Sequence, residues 1–294
     1  MNQAITVSCP AKVNLFLRVL AREADGYHGL ETLFCRIGLA DELTVERTDD
    51  GIELEVSGAD VGPVEQNLAW RAADAVLAAT GRRFGVRMQL IKRIPAGGGL
   101  GGGSSDAAAA LTTVNRLAGD AIPRGELLHL AARLGADVPF FASGASLALG
   151  WGHGQRLLTL PALPPRPALL IFPGIAVATP AAYQWVDEVR GSSGPRGGLT
   201  LELATLGSWG DLARLGGNDF EAPVMGRHPP IKTAFEALAG TSPLLCRMSG
   251  SGSSLFAVFR TEQDRDHAAQ QLGNRHGKVV STTIGAGRGE KGER

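Results

Sequence analysis

The sequence predicts an α+β protein of two domains, and three observations carry that reading. Strand-like alternation and helical periodicity are mixed in both halves of the chain. The 294 residues, 44% of them hydrophobic, are enough to fill two ordinary cores. Four prolines in PALPPRPA, from Pro161 to Ala168, resist both helix and sheet and mark the boundary. The expected division is 1–160, 161–285, and a polar, glycine-rich tail at 286–294 that is expected to be disordered.

Each element follows from local pattern. ITVSCPAKVNLFLRVL, from Ile5, and ELTVERTDDGIELEV, from Glu42, alternate with Val and Thr enriched, as strands do. NLAWRAADAVLAATG is helical, with Gly81 as its stop. FGVRMQLIKRIP is strand-like, a glycine loop follows, and two helices come next, the second ending near Gly135. In the second half, LLIFPG reads as a strand, PIKTAFEALAG as a helix and PLLCRMSGSGSSLFAVF as loop and strand. EQDRDHAAQQLGNR reads as a helix and KVVSTTIG as a closing strand, while Gly191 to Gly198 is poorly patterned.

Composition narrows the function. Lys plus Arg and Asp plus Glu are both 29, so no global field draws the chain to nucleic acid or an anionic membrane, and any anion site is local. The N-terminus lacks the basic, apolar and cleavage regions of a signal peptide. The longest apolar region is broken by Pro173, Gly174 and Pro180 and falls short of a membrane span. A cytoplasmic protein is expected. Cys9, Cys35 and Cys246 are odd in number, far apart and without ligand spacing, so they read as buried thiols.

The chemistry gathers at PAGGGLGGGSSDAAAA, beginning at Pro95. Six glycines in seven positions run straight into Ser104, Ser105 and Asp106, read as N-cap or first-turn residues, and then into Leu111, Val114 and Leu117 at helical spacing. A slack linker has no reason to stop at a helix start, where unpaired N–H groups and the positive dipole end gather. Close backbone approach to a polyphosphate is a sufficient reason for so many glycines. A Walker loop is excluded, because Gly103 is followed by Ser104 with no lysine. The G-x-G-x-x-G of Gly97, Gly99 and Gly102 is nearly guaranteed in so glycine-rich a run. A nicotinamide-dependent oxidoreductase nevertheless stays open as an alternative, as does a binding protein without catalysis.

PAGGGLGGGSSDAA resembles the second motif of the small-molecule kinase superfamily of galactokinase, homoserine kinase, mevalonate kinase and phosphomevalonate kinase. PAKVNLFLRVLAREADGYHGLETLF resembles the first motif of its branch acting on 4-diphosphocytidyl-2-C-methyl-D-erythritol. LGADVPFF resembles that branch's acid-bearing segment and MSGSGSSLFAVF the third motif. The four lie in the family's order. The stretch from Trp185 to Gly216 matches poorly and has no assigned role.

The resemblance implies a first domain like domain 2 of ribosomal protein S5, a ferredoxin-like second domain and an active site between them. It implies ATP as phosphoryl donor, Mg²⁺, and transfer to the 2-hydroxyl in the non-mevalonate route to isoprenoid precursors. The partners are then ATP and a small cytidylated alcohol, with no nucleic acid or membrane, in a monomer or weak homodimer. Tyr27 and His28 separate this branch from homoserine and mevalonate kinases.

Phosphoryl transfer needs groups that hold phosphates, offset charge and accept a proton. The loop of Pro95, Ala96, Gly97, Gly98, Gly99, Leu100, Gly101, Gly102, Gly103, Ser104 and Ser105 would hold ATP. Lys92 just upstream is either a nucleotide contact, by resemblance, or a solvated lysine at a strand end. Asp137 is either a helix-capping aspartate or the general base. Lys12, the lone charge in CPAKVNLFL, either points outward as a solubility device or, by resemblance, faces Asp137 and steadies the transferring phosphoryl. By resemblance, Tyr27, His28 and a second ring from Tyr183 bind the cytosine, with Asn14 and Asn67 as further substrate or nucleotide contacts. GNDFE, including Asp219, and SGSGSS look like substrate-side elements. No metal ligand set is legible.

Overall fold

A computed structural model describes residues 4–24, 26–59, 62–191 and 201–285. In chain order the elements are β1 (Ile5–Arg22), β2 (His28–Thr48), β3 (Ile52–Ser57), α1 (Leu68–Ala79), β4 (Gly85–Ile91), α2 (Gly102–Leu117), α3 (Arg124–Leu134) and α4 (Val138–Ala142). There follow β5 (Leu147–Gly152), β6 (Arg156–Leu160), β7 (Arg166–Phe172), α5 (Thr179–Arg190), α6 (Leu203–Leu206), α7 (Trp209–Arg214), α8 (Glu221–Arg227) and α9 (Pro229–Ala239). The chain closes with β8 (Leu245–Met248), β9 (Leu255–Val258), α10 (Glu262–Leu272) and β10 (Lys278–Ile284). The fold is α+β with mixed sheets. Among the described residues no helix is long and apolar enough to cross a membrane. The expected tail at 286–294 and most of the poorly patterned stretch lie outside the described residues.

Two compact units interleave along the chain: Met1–Ala11, Leu39–Ala96 and Gly101–Ala145 form one, and Lys12–Gly38, Gly97–Leu100 and Ser146–Arg294 the other. The last segment of the second unit begins at Ser146, and β1 and β2 are long enough for each to contribute to both units.

In the first unit, β4 runs antiparallel to the end of β2, with Val45 opposite Met88, and parallel to β3, with Leu54 opposite Met88. Val86, Met88 and Leu90 are buried while Arg87, Gln89 and Ile91 face out, the two-residue period of a half-buried strand. Helices α1 and α2 pack together through alanine-rich faces, Ala69, Ala72 and Ala73 on one and Ala107 and Ala110 on the other. Small side chains let two helices approach closely.

In the second unit, β5 lies antiparallel to the start of β2, with Leu33 opposite Leu149, and to β6, with Leu149 opposite Leu158. A further run has the order β8-β9-β7-β10, antiparallel throughout, with Leu169 opposite both Ala257 and Ser281. Its core holds Leu169 and Ile171 of β7, Val186 of α5, Phe220, Val224 of α8, Ile231 and Leu238 of α9, and Leu272 of α10.

Candidate active site

In the second unit, Lys12 is buried on β1 rather than pointing outward as a solubility device, with 4% of its surface exposed. Its Nζ donates to Asn14 Oδ1 at 3.0 Å and to the Gly99 carbonyl at 3.0 Å, and lies 5.3 Å from the centre of the Phe34 ring. A buried cation of this kind needs such acceptors, since its desolvation is otherwise uncompensated. Asn14, 1% exposed, also accepts from the Gly250 N–H at 3.0 Å and donates to Thr32 Oγ1 at 2.7 Å. Its expected contact role therefore comes with a structural one: its oxygen fixes Lys12 and the second glycine loop together.

That second loop, between β8 and β9, is tied down on both flanks. Ser249 Oγ donates to the same Gly99 carbonyl at 2.9 Å. Asn218 donates through Nδ2 to the carbonyls of Met248 and Gly250, at 2.8 and 2.6 Å. Glu221 accepts from the Met248 N–H at 2.9 Å. Asp219 accepts from the Val19 N–H and from Arg190. The expected substrate-side segment GNDFE thus acts here as scaffolding for β1 and the SGSGSS loop.

Tyr27 is 66% exposed, its ring tilted against His153 at 5.3 Å. Its neighbour His28 is buried: Nε2 lies 2.8 Å from Asp187 Oδ1, and the ring stacks on Tyr183 at 5.0 Å. Tyr183 in turn meets the edge of Phe220 at 4.9 Å.

The backbone leads into α2 through Gly97, Gly99 and Gly101, all at positive φ, with Gly101 as N-cap. The helix begins at Gly102, before the expected Ser104 to Asp106 start. The cap has no side chain, and Ser104 and Ser105 fall within the first turn. The first intrahelical bond runs from the Ser105 N–H to the Gly101 carbonyl, so the preceding amide groups at 102–104 are those a helix start leaves without helical partners.

Lys92 is not solvated. It is 8% exposed and bonds the carboxylates of Asp41 and Asp106, the latter at 2.6 Å. Asp41 also accepts from the N–H groups of Arg93 and Ile94, gripping the strand just before the glycine loop. Asp106 faces Lys92 from α2. Burial lifts its carboxyl to about 7, against the pull of Lys92. Burial would lower Lys92, but the Asp106 and Asp41 carboxylates together hold it above its ordinary value. Burial also pushes up the Cys9 thiol beside this cluster.

Asp137 occupies the N-cap position of α4, half-buried, and makes no side-chain capping bond. Asn67 does cap: its Oδ1 accepts from the Ala69 N–H at 2.9 Å and starts α1. No group of three His, Cys, Asp or Glu side chains among the described residues is arranged to hold a metal.

Residues 67–145 match the family described as GHMP kinases N terminal domain, and residues 200–279 match GHMP kinases C terminal. A 4-diphosphocytidyl-2-C-methyl-D-erythritol kinase from Geobacter metallireducens is 37% identical over 276 residues, covering 92% of this chain and 95% of its own. One from Bordetella parapertussis is 43% identical over 273 residues, 90% and 86% of the two chains. The chain belongs to the 4-diphosphocytidyl-2-C-methyl-D-erythritol kinase family. A crystal structure of a 4-(cytidine 5'-diphospho)-2C-methyl-D-erythritol kinase is similar with a TM-score of 0.83 at 38% identity, over 96% of this chain and 100% of that one. A homoserine kinase from Cytophaga hutchinsonii, at 19% identity and a TM-score of 0.67 over 98% and 95%, shares the fold.

Against that family background, two groups of this site had no signal in the sequence. Asp41 meets Lys92 from 51 positions away, and Asp187 meets His28 from 159 positions away. Neither sits in a glycine motif, and only tertiary structure pairs them.

Proposed function

We propose that the protein transfers the γ-phosphoryl group of ATP to the 2-hydroxyl of 4-diphosphocytidyl-2-C-methyl-D-erythritol, a step toward isoprenoid precursors by the non-mevalonate pathway. The observation that carries the reading is the buried Lys12, held by Asn14 and by the Gly99 carbonyl of the first glycine loop. A fixed cation beside a glycine-rich backbone loop is what phosphoryl transfer asks of a protein. Family membership at 37% and 43% identity over nine-tenths of the chain supports the substrate class.

In this mechanism the backbone from Pro95 to Ser105 cradles the triphosphate, with the α2 dipole favouring its charge. Asp137 accepts the proton of the attacking hydroxyl, and Lys12 offsets the charge of the phosphoryl in flight. Lys92 serves the nucleotide through the loop it supports. Tyr27 stacks on the cytosine from its exposed position, and His28, backed by Tyr183, reads its edge. Asn14, which positions Lys12, and Asn67, at the start of α1, are further substrate or nucleotide contacts. Mg²⁺ brought in with ATP would draw on the hydroxyl of Ser104 or Ser105, on the first turn of α2. The ion would supply neutralisation of phosphate charge.

The reading extends to architecture and setting. We read the first unit, with strands from β1 to β4 and a helical layer, as the S5 domain 2-like part, and the antiparallel β8-β9-β7-β10 run with its helices as the ferredoxin-like part. The two domains are read as 1–160 and 161–285. A monomer or weak homodimer in the cytoplasm, working on two small molecules, fits a balanced charge and the lack of a spanning helix among the described residues.

The test is ADP release from Mg-ATP with the cytidylated substrate, free methylerythritol, mevalonate and homoserine. Release with the cytidylated alcohol alone, lost in Asp137→Asn, is expected. Release with another alcohol, or with none, would overturn the substrate or the activity.

A further inference from the structure

Two residues on one face of α5 grip His28. Tyr183 and Asp187 stand four positions apart, so their side chains project from the helix side by side. Tyr183 stacks on the His28 ring with 15° between the planes, which fixes the plane of the imidazole. Phe220 backs Tyr183 edge-on at 85°, anchoring it to the core. Asp187 Oδ1, 2.8 Å from His28 Nε2, fixes the rotation of the ring within that plane. The His28 side chain is 6% exposed, and that of Asp187 41%.

A carboxylate accepts only, so the nitrogen facing it must carry the proton. In a neutral imidazole the other nitrogen then keeps its lone pair. We propose that Asp187 sets the tautomer of His28, holding a proton on Nε2 and leaving Nδ1 as the acceptor for an exocyclic amino group on the substrate's base. Asp187 is then a specificity-determining positioning residue that never touches substrate. An aminopyrimidine offers a donor at the position where its keto counterpart offers an oxygen. An Nδ1 lone pair accepts from the first and repels the second. Sites built around a particular hydrogen bond discriminate strongly, because the mismatched partner leaves a buried group unpaired.

The inference rests on the proposed substrate, and its test separates the two. The ¹⁵N shifts of the His28 ring, read in the ligand-free protein, need no substrate. The wild type is expected to show a single neutral tautomer protonated at Nε2. Asp187→Ala is expected to move both nitrogens toward the averaged shifts of exchanging tautomers. Asp187→Asn, whose amide can donate to Nε2 as well as accept from it, is expected not to restore the wild-type pattern, whereas Asp187→Glu, which keeps an acceptor-only carboxylate, is expected to restore it. In turnover, the preference for the cytidylated alcohol over its uridylated counterpart should fall about tenfold or more in Asp187→Ala and in Asp187→Asn, and recover in Asp187→Glu.

A wild-type ring protonated at Nδ1, or at both nitrogens, overturns the proposal. So does an Asp187→Ala variant with unchanged shifts and an unchanged preference. A wild type inactive on the cytidylated alcohol but carrying the Nε2 tautomer would instead sink the substrate assignment and leave the pairing of Asp187 with His28 standing.

Discussion

Lys12 Nζ lies 3.0 Å from Asn14 Oδ1, two residues further along the same strand and therefore on the same face, with both side chains buried. The same oxygen receives the Gly250 N–H, so one amide fixes the cation and the second glycine loop at once. Asn14→Ala is expected to lower kcat by about 100-fold through loss of that alignment, with a smaller change in KM for ATP. Thr32 and Gly250 lose a buried partner as well, at a cost of about 1–3 kcal/mol read from urea unfolding. Steady-state kinetics that leave kcat untouched would show that Lys12 does not depend on Asn14.

The two glycine loops touch at Gly99, and space there is closed. A Cβ on Gly99 would stand 2.2 Å from the Ser249 carbonyl oxygen, at a backbone φ of +78°. At Gly97 the φ is +69°, but nothing lies within 4 Å. Gly97→Ala is expected to cost only the backbone term in stability, about 1–2 kcal/mol, with any loss of activity read as a raised KM for ATP. Gly99→Ala is expected to abolish turnover and to destabilise the fold by more than its partner variant. Equal losses in the two variants would contradict the crowding argument.

Asp106 makes stability depend on pH. Its folded-state pKa, about 7, lies above the ordinary 3.8 because burial outweighs Lys92. Between those values the folded protein holds a proton that the unfolded chain has released, so stability falls as pH rises from about 4 to about 7. At 1.36 kcal/mol per unit the loss is at most about 4 kcal/mol. Asp106→Asn is expected to flatten this limb in urea titrations run from pH 4 to pH 8. A wild type whose stability rises steadily across that range, in parallel with the variant, would contradict it.

Tyr27 and Tyr183 are expected to separate binding from folding. Tyr27 is exposed, so Tyr27→Ala should leave Tm nearly unchanged while raising KM for the cytidylated alcohol about 10- to 100-fold, the worth of one stacked base. Tyr183 packs against the core beside Phe220, so Tyr183→Ala should lower Tm as well. Thermal melts with and without substrate distinguish the two; a large Tm loss in Tyr27→Ala would contradict the assignment.

What the sequence made legible was local. β4 alternates, α1 ends at a glycine, and the glycine run stops at a helix, so each declared itself within a dozen residues. The first half of β2 did not. Leu30, Leu33, Phe34, Cys35 and Ile37 are buried with almost no alternation, because both faces of the strand are covered and the two-residue signal disappears. The β5–β6 hairpin was hidden behind a glycine-rich turn, and α5 behind its prolonged mix of polar and apolar residues. The glycine motif located the candidate site, while the partners that fix its charges, Asp41 for Lys92 and Asp187 for His28, came from sequence-distant elements.

The central claim is the transfer of a phosphoryl group to one hydroxyl of a cytidylated alcohol. Its most direct test is ³¹P NMR of the product formed from Mg-ATP and 4-diphosphocytidyl-2-C-methyl-D-erythritol, with carbon coupling to place the new phosphate and Asp137→Asn as the control. A single new monophosphate resonance coupled to C2, absent in the variant, is the predicted result. A phosphate on another carbon, or inorganic phosphate alone, would contradict it.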